Sequence, residues 1–203
     1  MFPTLQQFCD TLTASFESIP EERKELLSKI SSYIQQKKDS GEKTQLVYVC
    51  THNSRRSLFG QVWAAVAATY YNISNVSTFS GGTEATAFNI NAINSLKRTG
   101  FVISDDGQSV NPKHTVQYGD NLNTVCFSKV YNDAANPQNH FAAIMTCSDA
   151  EQNCPFIPGV ELRIGTTYND PKAADNTPEQ DTTYDERSMQ IALESLYVFS
   201  LVK

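Results

Sequence analysis

A short β-rich run, Gln45-Leu46-Val47-Tyr48-Val49, ends on Cys50, and a helical pattern opens at Ser57 and continues to about Tyr71. A strand, a tight loop and a helix thus follow one another. The same succession recurs at Val76 to Ser80, which is closed by Gly81-Gly82, and at Asn89 to Thr99, which is closed by Gly100. Further strands are expected at Val125 to Val130, Phe141 to Thr146 and Val160 to Ile164, with a closing helix from about Tyr184 to Val202. Alternation of this kind specifies an α/β fold with a mostly parallel sheet covered by helices on both faces. Sites in such sheets form at the carboxyl ends of strands, where both Cys50 and Cys147 fall. Asp170 to Asp185 reads as a polar surface loop.

Ahead of this unit, residues 1–44 read as a helical extension, and residues 45–203 as the main domain. The first helix carries Leu5, Cys9, Leu12 and Phe16 on one face. The second follows a capping box, Ser18-Ile19-Pro20-Glu21, and carries Leu26, Leu27, Ile30 and Ile34. A helical hairpin of this type must lay its apolar stripe on the main domain or on another subunit.

The 203 residues are enough for one full core, and a hydrophobic share of 40% with 19% charged residues is that of a globular protein. A net charge of −6 argues against nucleic acid or an anionic membrane as the main partner, so any anion site must be local. No apolar run is long enough to cross a bilayer, and the first residues lack the features of a signal peptide. The expected location is the cytoplasm, where the five cysteines would not form permanent disulfides. His52, His114 and His140 make no metal-binding pattern with them, so no metal is expected.

The loop Cys50-Thr51-His52-Asn53-Ser54-Arg55-Arg56-Ser57 lies between a buried strand and a helix start. Unpaired backbone N–H groups converge at such a position, and the helix dipole favours negative charge there, on a tetrahedral anion or on a thiolate. Arg56 has the geometry to hold two oxyanion oxygens in a bidentate fork, Ser57 to hydrogen-bond the Cys50 sulfur, and Asn53 to brace the loop. The residues from Thr51 to Ser57 are therefore the expected oxyanion cradle, with Cys50 as nucleophile. Cys9 on a helical stripe and Cys126 in a strand read as small core residues.

Cys50 to Ser57 resembles the C-x-x-N-x-x-R-S loop of the low-molecular-weight protein tyrosine phosphatases and of the thioredoxin-coupled arsenate reductases that share their fold. The resemblance continues through Ser80-Gly81-Gly82-Thr83-Glu84-Ala85 and covers roughly residues 45–203. It implies a four-stranded parallel sheet flanked by helices, here with an extra edge strand expected near Val125. It also implies a general acid at Asp170, which stands in the matching Asp170-Pro171 pair and would protonate the leaving oxygen. Thr146 to Pro155 is similar to the redox segment of the reductases, with Cys147 and Cys154 in place of their two relay thiols. The implied activity is reduction of arsenate to arsenite through Cys50, Cys147 and Cys154, as in arsenic detoxification, with no bound cofactor and with thioredoxin as electron donor. The alternative within the same resemblance is a phosphatase that hydrolyses phosphate monoesters through a phospho-Cys50 intermediate. A third reading, outside catalysis, is a binder of phosphate or of a phosphorylated partner.

Four departures accompany the resemblance. His52 stands where these loops usually have Gly, and Arg55 where the reductases usually have Cys. Gln61 replaces a Glu that helps some reductases to hold potassium. Lys172 and Ala173 stand where tyrosine phosphatases carry aromatic residues that grip the substrate ring.

Overall fold

The computed structural model describes residues 1–107, 110–153 and 157–203. Four strands, β1 (Thr44–Cys50), β2 (Val76–Gly82), β6 (Phe141–Met145) and β7 (Val160–Gly165), form a parallel sheet in the order β2-β1-β6-β7. This is the sheet expected from the alternation. Both of its central strands are buried throughout, apart from a half-buried Gln45. Their side chains divide between two apolar clusters with the period of two that a pleated strand imposes. Leu46, Tyr48, Ala142 and Ile144 enter the larger cluster, while Val47, Val49, Ala143 and Met145 enter the smaller.

The larger cluster is roofed by α3 (Arg56–Tyr70), α4 (Ile90–Thr99) and α6 (Gln180–Ser200). Helix α3 sits close to β1 because Gly60 has no Cβ: a methyl group there would stand 2.3 Å from Tyr48 Cδ1. Asn89 caps α4 by accepting from the N–H groups of Asn91 and Ala92, and Gly100 ends it in the left-handed conformation at φ 114°. The short α5 (Ser148–Asn153) covers the opposite face beside β1 and β6.

The stripes of α1 (Pro3–Thr13) and α2 (Glu21–Asp39) are covered within the chain itself. Leu5, Cys9, Leu12, Leu27, Ile30 and Ile34 all join the larger cluster, and both helices pack on α6. Trp63 of α3 stacks on Phe8 at 5.5 Å and donates from its indole to Ser188 Oγ at 2.9 Å, while Ser31 Oγ donates to Val198 O at 2.8 Å. Phe16 lies beyond α1 in a 3-10 turn, against Tyr197.

Two expectations are corrected. The capping box at α2 does not form: Pro20 occupies the N-cap, which receives no side-chain hydrogen bond, and the Ser18 hydroxyl turns back to Ser15 O at 2.6 Å. Proline at the cap fixes an extended entry, and the hydroxyl takes the nearer carbonyl. The strand near Val125 is not an edge of the parallel sheet. It is β5 (Leu122–Cys126), paired antiparallel with β4 (His114–Gly119), which pairs in turn with β3 (Val102–Asp105). The end of the expected strand meets the parallel sheet at Gly82, through an isolated bridge to Val130. The strands β3 and β4 and the helix α5 are short and were not evident from periodicity. The polar segment after Asp170 is a 3-10 turn, Pro171–Ala174, and its last residues already belong to α6. Among the described residues no helix is long and apolar enough to cross a membrane.

Candidate active site

Cys50 is the last residue of β1 and lies in register with Gly82, the last residue of β2. The loop that follows is braced by the segment after β2. Thr83 N–H donates to Cys50 O at 3.2 Å, Glu84 N–H to Thr51 O at 2.8 Å and Asn89 N–H to Ser54 O at 3.0 Å. The Ser54 hydroxyl donates to Ala87 O at 2.7 Å. The His52 carbonyl accepts from the hydroxyls of Thr86 and Ser128. A glycine is needed at position 82, where a Cβ would lie 2.6 Å from Thr51 O and 2.7 Å from Asn53 N.

Within the loop the buried Cys50 Sγ stands 3.0 Å from Ser57 Oγ, and Asn53 Nδ2 donates to the same hydroxyl at 2.9 Å. Asn53 Oδ1 accepts the Lys129 N–H at 2.9 Å, so both ends of the amide are used. The residue adopts a left-handed backbone, φ 44°, which Asn tolerates better than other non-glycine residues. Arg56 opens α3 with its guanidinium buried: Nη1 donates to Tyr168 O at 2.8 Å and Nη2 to Asp170 Oδ2 at 2.5 Å. Its Nε–H is buried and has no partner among the described residues. A buried donor left open beside a helix start suits an anion oxygen.

Asp170 is thus brought to the loop and pinned there. Its Oδ2 meets Arg56 and its Oδ1 accepts the Lys172 N–H at 3.0 Å. Two residues that sequence reasoning missed, Tyr184 and Asp175, help with Arg55 to place it. Arg55 Nε donates to Tyr184 OH at 2.6 Å, Tyr184 OH donates to Asp175 Oδ1 at 2.7 Å, and Arg55 Nη2 meets Asp175 Oδ2 at 3.2 Å. Asn91 also donates to Asp175, at 3.2 Å. The Arg55 departure therefore ties the oxyanion loop to α6 and to the turn that carries Asp170. Burial and the bond to Asp175 push the Tyr184 hydroxyl up to about 12, so it remains a proton donor in this network. No local pattern marks Tyr184 or Asp175, because their partners lie 84 to 129 residues away or across a turn.

Cys147 follows β6, the other neighbour of β1. Its buried Sγ is 3.5 Å from Thr51 Oγ1 and accepts the Ala150 N–H at 3.4 Å. Cys50 and Cys147 belong to the same small apolar cluster. Cys154 lies outside the described residues. Burial pushes Cys9 and Cys126 up to about 12, in keeping with their reading as core residues. His52 is half-buried, with Nε2 3.6 Å from Glu84. Gln61 donates to Thr124 Oγ1 and Val125 O, both at 2.9 Å, and accepts from Ser80 at 2.7 Å, so its amide links α3 to both sheets. Among the described residues no group of three metal-ligating side chains occurs.

The fold is that of the low-molecular-weight phosphatases. A low-molecular-weight phosphotyrosine phosphatase from Vibrio cholerae O395 superposes with a TM-score of 0.52 at 13% identity, covering 77% of this chain and 95% of that one. An arsenate reductase from Archaeoglobus fulgidus superposes with a TM-score of 0.51 at 14% identity, covering 76% and 98%. In sequence the chain is similar to curated arsenate reductases. It is 29% identical over 130 residues to that of Staphylococcus aureus (strain Newman), 64% of this chain and 79% of the relative. It is 25% identical over 142 residues to that of Bacillus subtilis (strain 168), 70% and 84%. No family model matches. The resemblance to the arsenate reductase and low-molecular-weight phosphatase family is borne out by these relatives and neighbours.

Proposed function

We propose that the chain is an arsenate reductase that works through a Cys50, Cys147 and Cys154 relay and is regenerated by thioredoxin. The observation that carries the reading is the second buried thiol: Cys147 stands at the neighbouring strand end, with its sulfur in contact with Thr51 of the oxyanion loop. In this mechanism arsenate sits in the Cys50–Ser57 loop, with the open Arg56 Nε–H and the loop N–H groups on its oxygens. The Cys50 thiolate attacks arsenic, and one oxygen leaves as water with a proton from Asp170. The Cys147 thiolate then attacks the Cys50 sulfur. A Cys50–Cys147 disulfide forms, and the S–As electron pair leaves with arsenic, reducing arsenate to arsenite. Cys154 attacks Cys147 and frees Cys50, and the dithiol of thioredoxin reduces the remaining Cys147–Cys154 disulfide. The bound species changes, but no cofactor is needed.

A second reading, a phosphatase working through phospho-Cys50, is favoured by Arg55 in the place of a reductase cysteine. A side-by-side assay separates the two. The reductase reading expects arsenate-dependent oxidation of NADPH in the presence of thioredoxin and its reductase. Aryl phosphate hydrolysis without that oxidation would overturn it and leave the phosphatase.

A further inference from the structure

Among the described residues the outer edge of β2 is closed at one end only. There Gly82 N–H donates to Lys129 O and Tyr131 N–H to Gly82 O, both at 2.9 Å, around the bridge to Val130. Away from this closure β2 is the edge of the parallel sheet and β5 the edge of the antiparallel one. Between the two edges lies a cleft of about 410 Å³, whose walls include Val76, Phe79, Tyr118, Val125, Phe127 and Lys129. None of residues 50–57 lines it.

Lys129 is the unusual group in this cleft. It is only 4% exposed, and its ammonium has no ion pair among the described residues. Its Nζ stands 4.4 Å from the centre of the Phe127 ring. Withdrawing an ammonium from water without a counter-ion is costly, and a cation–π contact offsets only part of that cost. Burial accordingly lowers its pKa, against the weaker opposing pull of Cys126 and Asp133. Lys129 is the one charged residue among the described lining, and the exposed Lys113 approaches the same ring at 5.4 Å without lining the cleft.

We propose that this cleft is a second anion site, distinct from the Cys50 loop, which takes a small monocarboxylate with a flat apolar body. The carboxylate pairs with the Lys129 ammonium and the body lies against Phe79, Phe127 and the β-branched walls. One buried cation matches one negative charge, whereas a dianion such as phosphate would leave a second charge desolvated and unpaired. The cavity is of a size that suits a ligand of this kind. The Lys129 N–H is also the donor that holds Asn53, so the occupied cleft lies one residue behind the brace of the oxyanion loop. The site does not depend on whether Cys50 reduces arsenate or hydrolyses phosphate.

Calorimetric titration of the full chain with naphthoate and with its neutral counterpart naphthamide, each with and without saturating inorganic phosphate, tests the assignment. Naphthoate binds a single site, naphthamide binds about tenfold more weakly or less, as expected for loss of a charge-assisted contact, and phosphate displaces neither. In Lys129→Met the preference for naphthoate disappears. Val125→Trp, made at a residue 47% exposed on the cleft wall, fills the space and removes binding of both probes. The proposal is overturned if naphthoate fails to bind, if the two probes bind equally, if phosphate competes, or if either variant binds naphthoate as the parent does.

Discussion

Ser57 stands between the Cys50 sulfur and the Asn53 amide, so the proposed nucleophile is held by a hydroxyl that is itself held. Asp170 is fixed from two sides, by Arg56 and by the Lys172 N–H, and its role separates from theirs in kinetics. Asp170→Asn keeps one acceptor oxygen in place of two and carries no acidic proton to give. Covalent attack with a poor leaving group is expected to slow by roughly 10²–10⁴-fold while anion binding is kept, as single-turnover kinetics beside phosphate or arsenate titration would report. An unchanged rate would assign the proton to another group. The relay thiols separate by step. Cys147→Ser is expected to keep aryl phosphate hydrolysis, since Cys50, Arg56 and Asp170 are intact, and to release no arsenite by the relay. Cys154→Ser is expected to complete one turnover and stop as a Cys50–Cys147 disulfide, identified by peptide mapping after stoichiometric arsenate. If both variants turn over arsenate with thioredoxin like the parent, the relay is refuted.

At the scale of elements, the oxyanion loop owes its shape to the strand end beside it. The Cβ of Gly82→Ala would meet Glu84 O at 2.3 Å, Thr51 O at 2.6 Å and Asn53 N at 2.7 Å, all backbone atoms without a rotamer to yield. The loop must shift as a whole. Misplacement of this size in a positioned site costs on the order of 10²-fold, so kcat/KM for an aryl phosphate should fall by about that factor while the far-ultraviolet circular dichroism stays that of the parent. Parent-like kcat/KM would show that the loop tolerates the displacement. The turn bearing Asp170 is tied in a comparable way, by Arg55, Asp175 and Tyr184, to the start of α6. Helix α6 therefore supports the site although none of its residues lies in the oxyanion loop.

Over the whole molecule, α2 is joined to β7 by a polar cluster. Glu161 accepts from Lys37, His140 and Tyr33 at 2.8–3.0 Å. Partial burial pushes its carboxyl up, but these hydrogen bonds outweigh burial and hold it at about 2, against an ordinary value of 4.5. Since the folded value is the lower one, ionised Glu161 stabilises the fold above the unfolded value, and the contribution is lost as pH falls from about 4.5 toward about 2. Glu161→Gln is therefore expected to be less stable than the parent at neutral pH, with the difference shrinking across that acid window in urea titrations. A difference that stayed constant from neutral pH to pH ~2 would contradict this assignment.

The alternation of β-rich runs and helices, the strand-loop-helix around Cys50, the helix start near Asn89 and the stop at Gly100 were legible because each is a short-range pattern. Hydrophobic period, cap chemistry and a left-handed glycine act within a few residues of chain. The same local reasoning failed at Ser18, whose hydroxyl had two possible partners and took the nearer carbonyl. It failed again near Val125, where strand propensity was correct but the partner strand was not. A strand's sequence states that it will pair, while docking decides with which edge. Cys147 could be placed at a strand end from sequence, yet its contact with Thr51 exists only because β6 pairs with β1. The tie from Arg55 through Tyr184 to Asp175, and the buried Lys129 behind Asn53, belong wholly to the tertiary structure. Their partners come from segments far apart in the chain, and only packing of the sheets and helices brings them within hydrogen-bonding distance.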